Sequence, residues 1–505
     1  MGTTYYLFRL AAFPAAGSHP EPQQMLPFGP PDKVIQRLLA IPGMSRARWA
    51  GPEVDPERDW LVLERDGRHV ELCFSHADGI DSLSVDHAAP WDLLEPAAVL
   101  EGAGGWAVFD PQCGTWHTLK EFEPQAPVPV HAEVHVTQSG PAHPGAPLAV
   151  EWRAVVADSL TPHVFHPTPE ALVVVARDRV FALDASTGQL RWAVRCGRPQ
   201  LFTTATDELL VVGSDQPTVH ALDLRTGEER WRLQGRGGMF AAPRALAGGH
   251  VALTTEAGQL TVVSADGRVR WRAELSPMIP DTPLPLGEVL LVGGNADRLL
   301  LFATETGAVL REGTVSSLLP PSGQDWESSF TFCLEEVGGH AFLGNNQCVV
   351  EVLLPELTPG VQLPTLVPSR FQALGGRLAL KERELLPPVS QGHSGTWCDR
   401  MRVLSLPDLT VNWECTSPGE LAFPVEVRGV WAVLSTPSRS QSPGPLTLTL
   451  VDPCGASLHT LVLGDVDAGT ATLAAHGDRV FVGAKGALWC VSIGALSVGG
   501  TGAGR

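Results

Sequence analysis

From about residue 160 to residue 495, short apolar runs alternate with polar turns at a nearly constant interval. A run such as Glu208-Leu-Leu-Val-Val-Gly213 is too short for a globular helix and is bounded by acidic and glycine turn residues, the pattern of a buried strand. The next run ends in Ala-Leu-Asp, a Thr-Gly turn follows, and a third run carries Arg-Trp. Ala182-Leu-Asp-Ala-Ser-Thr-Gly188-Gln-Leu-Arg-Trp192 is followed by Ala221-Leu-Asp-Leu-Arg-Thr-Gly227-Glu-Glu-Arg-Trp231. Ser264-Ala-Asp266-Gly267-Arg-Val-Arg-Trp271 and Ala303-Thr-Glu-Thr-Gly307-Ala-Val-Leu-Arg311 continue the series. The tryptophans step by 39 and then 40 residues, and Arg311 falls another 40 on. Four short strands in each ~40-residue unit predict a propeller blade rather than a helical solenoid. The turn chemistry agrees: Asp184, Asp223 and the Thr side chains can bond local backbone, and Gly188 and Gly227 accept a positive φ.

Four units are clear, over 161–197, 198–237, 238–276 and 277–316. Divergent units follow over 317–367, 368–420, which contains Trp413, and 421–465. The eighth, 466–494, stops before its Trp-bearing strand. Val150-Glu-Trp152-Arg-Ala-Val-Val156 supplies that strand from the other end, with Trp152 lying 40 residues before Trp192. The prediction is an all-β eight-bladed propeller over 148–495, closed by a strand at 149–156 that removes the open edge of a linear sheet. A seven-bladed ring with one long loop is the alternative.

Residues 1–120 do not share the period. They predict a strand at Thr3–Leu10, a helix at Pro31–Ala40, a hairpin from Trp60–Glu64 and Val70–Phe74 around Asp66-Gly67, and a strand at Ile80–Val85. A second helix at Pro90–Leu100 and a strand at Trp106–Asp110 complete a small α+β domain. Residues 121–147, rich in Pro, Ala and His, read as an extended tether, and 496–505 as a flexible Gly-rich tail.

The motif Ala-x-Asp-x-x-x-Gly-x-x-x-Trp, matched throughout by Ala182–Trp192 and Ala221–Trp231, resembles the PQQ-type (quinoprotein-type) propeller repeat. The resemblance implies that Trp152, Trp192, Trp231, Trp271 and Trp413 pack between neighbouring blades. It implies that Ala182, Ala221, Asp184, Asp223, Asp266, Gly188, Gly227, Gly267 and Gly307 serve the same docking. The domain layout resembles, more distantly, the propeller component of ternary conflict systems with a MoxR-type ATPase and a von Willebrand A protein. The segment Gly105–Gly114 resembles one found in small bacterial immunity-type proteins. The periplasmic propeller lipoprotein of outer-membrane β-barrel assembly shares the eight-bladed repeat, but no lipobox or export signal is visible here.

Net charge is −19, which argues against sequence-independent nucleic-acid binding and against an anionic membrane surface. No run of eighteen apolar residues predicts a membrane-spanning helix. Nine cysteines, odd in number and without a CxxC pair, suit reduced thiols in a cytoplasm.

Quinoprotein dehydrogenases hold PQQ over a tryptophan floor, usually with calcium, and often use a disulfide between adjacent cysteines, which this chain lacks. His131-Ala-Glu-Val-His135 has metal-ligand spacing but reads better as a polar strand face. His393, Ser394 and Asp399 lie in an insert, Glu382–Asp399, that reads as a partner-contacting loop with His393 and the aromatic anchor Trp397. No catalytic, metal or cofactor site is expected. The expected function is a non-enzymatic protein–protein interaction scaffold, a monomer within a larger bacterial cytoplasmic assembly. A small-ligand sensor or enzyme using the channel is the alternative, and a PQQ-dependent dehydrogenase a more remote one.

Overall fold

The protein is described by a computed structural model. It describes most of residues 127–494, apart from 139–145, 157–161, 197–201, 276–281, 320–332, 387–395, 438–442 and gaps of one to three residues. Of residues 1–126 it describes the strands and helix given below with a few flanking positions, and residues 495–505 lie outside the described set.

The N-terminal region forms one eight-stranded sheet. Its order is Met44–Arg46, Arg58–Arg65, Arg68–Ser75, Ser82–Ala88, Thr3–Leu10, Gly105–Asp110 and Thr115–Thr118, with Met25–Leu26 added beside the end of Thr3–Leu10. The predicted hairpin closes at Arg65 opposite Arg68. Leu7, Leu61, Leu72 and Val108 are buried, as are Val34, Ile35 and Leu38 on one side of the helix Pro31–Leu38. Val34 and Ile35 lie four and three residues before Leu38, which puts all three on one face and turns this helix toward a core. Most of the expected second helix lies outside the described residues; its end carries an i→i−4 bond from Leu100 N to Pro96 O.

Eight further sheets form the ring. Blades 1 to 7 have four consecutive antiparallel strands over 162–195, 202–234, 244–274, 284–313, 333–364, 369–417 and 425–466. Blade 8 takes Thr472–His476, Arg479–Ala484 and Ala487–Ile493 from the end of the chain, and Leu148–Val156 from before blade 1 as its outer strand. Trp152 pairs with Cys490 in that sheet. The ring is thus closed as expected, with eight blades. Its middle strands are buried on both faces, for example Ala171–Ala176 and Leu209–Gly213, which is why they read as unbroken apolar runs.

Two expectations are corrected. Part of the tether is sheet: Val128–Pro129 adds a fifth strand to blade 1 opposite Val194 and Arg195, and Val134–Gln138 adds one to blade 8 opposite Trp152–Val156. Val130, Val134 and Val136 pack on the core shared by blades 8 and 1. Gln138 Nε2 also donates to Thr187 O, in blade 1, at 2.7 Å. The alternation of Val with polar residues gives the segment one apolar face, and the outer edges of these two blades supply open backbone groups to pair it. The second correction is the blade 6 insert. Strands Arg377–Leu386 and Thr396–Ser405 continue to a Leu386–Thr396 pair, so the described ends of the insert, 382–386 and 396–399, are paired strand.

Candidate interaction surface

The blade junctions repeat one contact. A tryptophan on the outer strand of one blade lies over a positive-φ glycine in the last turn of the next: Trp152 over Gly188, Trp192 over Gly227, Trp231 over Gly267, Trp271 over Gly307 and Trp413 over Gly455. A Cβ on Gly227 would stand 2.6 Å from the Trp192 ring, so both the backbone conformation and the close approach require glycine. The first four indoles also donate across the junction. Trp152 Nε1 reaches Ala185 O at 3.0 Å, Trp192 Leu224 O at 3.2 Å, Trp231 Ala265 O at 2.9 Å and Trp271 Thr304 O at 2.8 Å. Trp413 Nε1 has no partner; its ring packs on Trp431 with centroids 5.2 Å apart. The positions opposite these five tryptophans are Cys490, Ala182, Ala221, Val262 and Val403, all fully or almost fully buried.

Asp184 and Asp223 shape their turns. Asp184 accepts from Ser186 N at 3.0 Å and Thr187 N at 2.9 Å, and Asp223 from Arg225 N and Thr226 N, both at 2.9 Å. Each is also bound by the arginine of the Arg-Trp pair, Arg191 at 2.7 Å and Arg230 at 2.5 Å. Burial alone would raise both carboxyls, but the hydrogen bonds from Ser186 and Arg191, and from Arg230 and the Thr226 amide, hold them below the ordinary carboxylate range. Asp266 is not their equivalent. The blade 3 turn is one residue shorter, Gly267 N bonding Ser264 O, so Ser264 occupies the Asp184 position and Asp266 lies at the exposed tip, paired with Arg268. The repeat reading missed Gly455 and Asp452, which caps Cys454 N and Ala456 N at 2.8 Å. The Asp-x-x-Gly spacing was present, but His459 stands where the tryptophan of that motif would be.

The turns joining the two innermost strands lie on the same side of the ring as these outer turns. Ala185 N bonds Glu170 O at 3.0 Å and Leu224 N bonds Glu208 O at 2.9 Å. On that side the inner turns of blades 1, 2 and 3, with His476 of blade 8, surround a depression of about 1120 Å³. Thr168 and Thr206 set two of those turns, their hydroxyls accepting from Ala171 N at 2.9 Å and Leu209 N at 3.1 Å. Pro167, Pro169, Trp231 and Leu246 give apolar lining, and Asp207, Glu208 and Asp266 give three carboxylates. The lining cation Arg230 is already bound by Asp223. His166 bonds Thr203 at 2.9 Å, and burial lowers its imidazole to about 4, so it is neutral at pH 7. Asp266 is likewise paired with Arg268, so the depression offers apolar contact with negative charge from Asp207 and Glu208.

Of the loop residues expected to meet a partner, His393 lies outside the described residues. Trp397 is a strand residue opposite Leu385, which corrects its expected loop placement. His131 also lies outside the described set, and His135 is exposed on the added strand of blade 8. Among the described residues no group of three or more His, Cys, Asp or Glu could hold a metal ion. The described innermost strands carry no tryptophan; the docking tryptophans are all on outer strands. No described helix is long and apolar enough to cross a membrane.

Closed ring, repeat motif and tryptophan–glycine docks together define an eight-bladed β-propeller of PQQ-like repeats. The family model described as outer membrane protein assembly factor BamB matches residues 149–240 and again 215–327. Among solved structures, BamB from Moraxella catarrhalis is 15% identical, covering 68% of this chain and 99% of that one, with a TM-score of 0.49. The computationally designed Ika8 protein is 13% identical over 66% of this chain and 97% of its own, with a TM-score of 0.51. The quinohemoprotein alcohol dehydrogenase of Pseudomonas putida HK5 is 11% identical over 69% of this chain and 76% of its own, with a TM-score of 0.50. A search of the curated proteins finds no match.

Proposed function

We propose that this propeller is a non-enzymatic scaffold that binds a partner protein through the depression on its turn side, taking a segment that is basic and partly apolar. The observation that carries this is the lining itself: three carboxylates beside proline, leucine and tryptophan surfaces on a rigid ring. The family match adds weight, because that family is described as an assembly factor. The ring holds the lining in place without help from a ligand, since each lining turn is tied to the sheet by its own hydrogen bonds. Placement in a bacterial cytoplasmic assembly, ATPase-associated or conflict-related, belongs to the same proposal. It rests on the order of α+β domain, linker and propeller along the chain.

An array of synthetic peptides varied in charge and apolar content tests the reading. Peptides combining Arg or Lys with aromatic or aliphatic residues are retained by the native protein and lost on the double change Asp207→Lys, Glu208→Lys. Equal retention of acidic and basic peptides, or retention indifferent to that reversal in a protein with unchanged melting, overturns it.

A further inference from the structure

The rim of the ring carries a second surface, independent of the depression. Each blade ends in an outer strand with backbone donors and acceptors facing outward, which is a template for another strand. This chain already fills two of those edges, with Val128–Pro129 on blade 1 and Val134–Gln138 on blade 8. Most of the others carry features that discourage pairing. Blades 2 and 3 set charges along the strand, Glu229, Arg230 and Arg232, and Arg270, Arg272 and Glu274. Blade 5 has Pro359 and Pro364 in its outer strand, and blade 7 has two register shifts against one in blade 4.

Blade 4 differs. Its outer strand Val309–Gly313 is exposed at four of five positions, with Val309 at 56% and Leu310 at 53% exposure. It contains no proline, and Arg311 stands where Trp192, Trp231 and Trp271 stand in the preceding blades. Glu312 is engaged by Arg298 at 2.9 Å, while the side chain of Arg311 is exposed. Two exposed apolar side chains, an edge without a further strand among the described residues and an exposed cation together describe a seat for an extended segment.

We propose that the outer strand of blade 4 binds an extended segment of a partner protein by strand addition, one with aliphatic residues at alternate positions and a carboxylate facing Arg311. The precedent is Val134–Gln138, whose valines alternate with polar residues and pack on the ring while its backbone extends blade 8. A second copy of this chain is the poorer occupant. Two identical strands pair antiparallel about a two-fold axis, and the register that overlaps all five residues sets Arg311 against Arg311, a like-charge pair.

The test is hydrogen exchange on the full chain with a blocked synthetic hexapeptide alternating Val with Glu and Thr. Slowed exchange of the 309–313 amides by tenfold or more at saturating peptide is expected. The protection is lost in Arg311→Glu and recovered in that variant by the same peptide with Lys in place of Glu. Val309→Lys with Leu310→Lys, both at exposed positions, also abolishes it without lowering the melting temperature. Protection confined to blade 8 or the depression, protection that survives Arg311→Glu, or a concentration-dependent dimer that Arg311→Glu strengthens or leaves unchanged overturns the proposal. Because no residue of the depression is altered, failure here leaves the function proposed above standing, and the reverse.

Discussion

Replacing Gly227 with alanine sets two costs against each other in one methyl group. The residue has φ +73°, and the new Cβ would lie 2.6 Å from Trp192 Cε3 and 2.7 Å from Cδ2. Left-handed backbone costs an alanine about 1 kcal/mol. Displacing the ring by roughly 1 Å, out of a junction where its Nε1 also bonds Leu224 O, adds ~1–3 kcal/mol of overpacking. The expected total is ~2–4 kcal/mol. Gly287 is the control, because it has φ +65° and nothing within 4 Å of its Cβ position. Gly287→Ala therefore isolates the backbone cost at ~1 kcal/mol. Thermal unfolding followed by calorimetry reads the difference. For a ring of this size 1 kcal/mol corresponds to a melting shift on the order of 1–2 °C. Trp192→Ala in the Gly227→Ala background should recover part of the clash, giving a coupling of at least ~1 kcal/mol in the cycle. Equal costs for the two glycines, or additive effects of Gly227 and Trp192, would refute the claim that the junction rather than the turn demands this glycine.

Other outcomes follow from the same contacts. Trp192→Phe leaves Leu224 O without its donor and should cost ~1–2 kcal/mol beyond lost area, whereas Trp413→Phe removes an unpartnered buried N–H and should cost the lost area alone; paired urea melts compare them. Val136→Asp puts a carboxylate on the packed face of the added strand of blade 8 and should destabilise by ~2 kcal/mol, with faster exchange at 152–156, while the neighbouring exposed His135→Asp changes little. His166 contributes to acid sensitivity. Burial lowers its folded pKa to about 4 from an ordinary 6.5, so the unfolded chain takes up this proton first and stability falls as pH drops from 6.5 towards 4, by up to ~3 kcal/mol. His166→Gln should flatten that part of a melting-temperature profile, and an unchanged profile would show that His166 is not the group responsible.

Much of the ring could be read without coordinates because its information is local. A blade is about forty consecutive residues, its strands are marked by apolar runs, and its last turn by Asp, Gly and Trp at fixed offsets. Ala182, Asp184, Gly188 and Trp192 are close in sequence because one hairpin carries the first three and its second strand the fourth, so their spacing survives as a motif. The closing strand was legible for the same reason, since Trp152 keeps the interval. What the repeat could not convey was anything made by parts distant along the chain. The pairing of Val134–Gln138 with blade 8 depends on a strand edge that exists only once Leu148–Val156 has joined Ala487–Ile493. Asp266 was misplaced because a one-residue shortening of a turn changes which side chain caps it while leaving the letters similar. The depression joins the inner turns of blades 1, 2 and 3 to His476, more than three hundred residues from His166. The class of fold and the residues that lock neighbouring blades are written in the order of residues along the chain, because they depend on contacts within one hairpin and its repeat. Only the closed ring decided which carboxylates share a surface and which strand edges stay open, because both depend on where eight separate sheets come to rest around one axis.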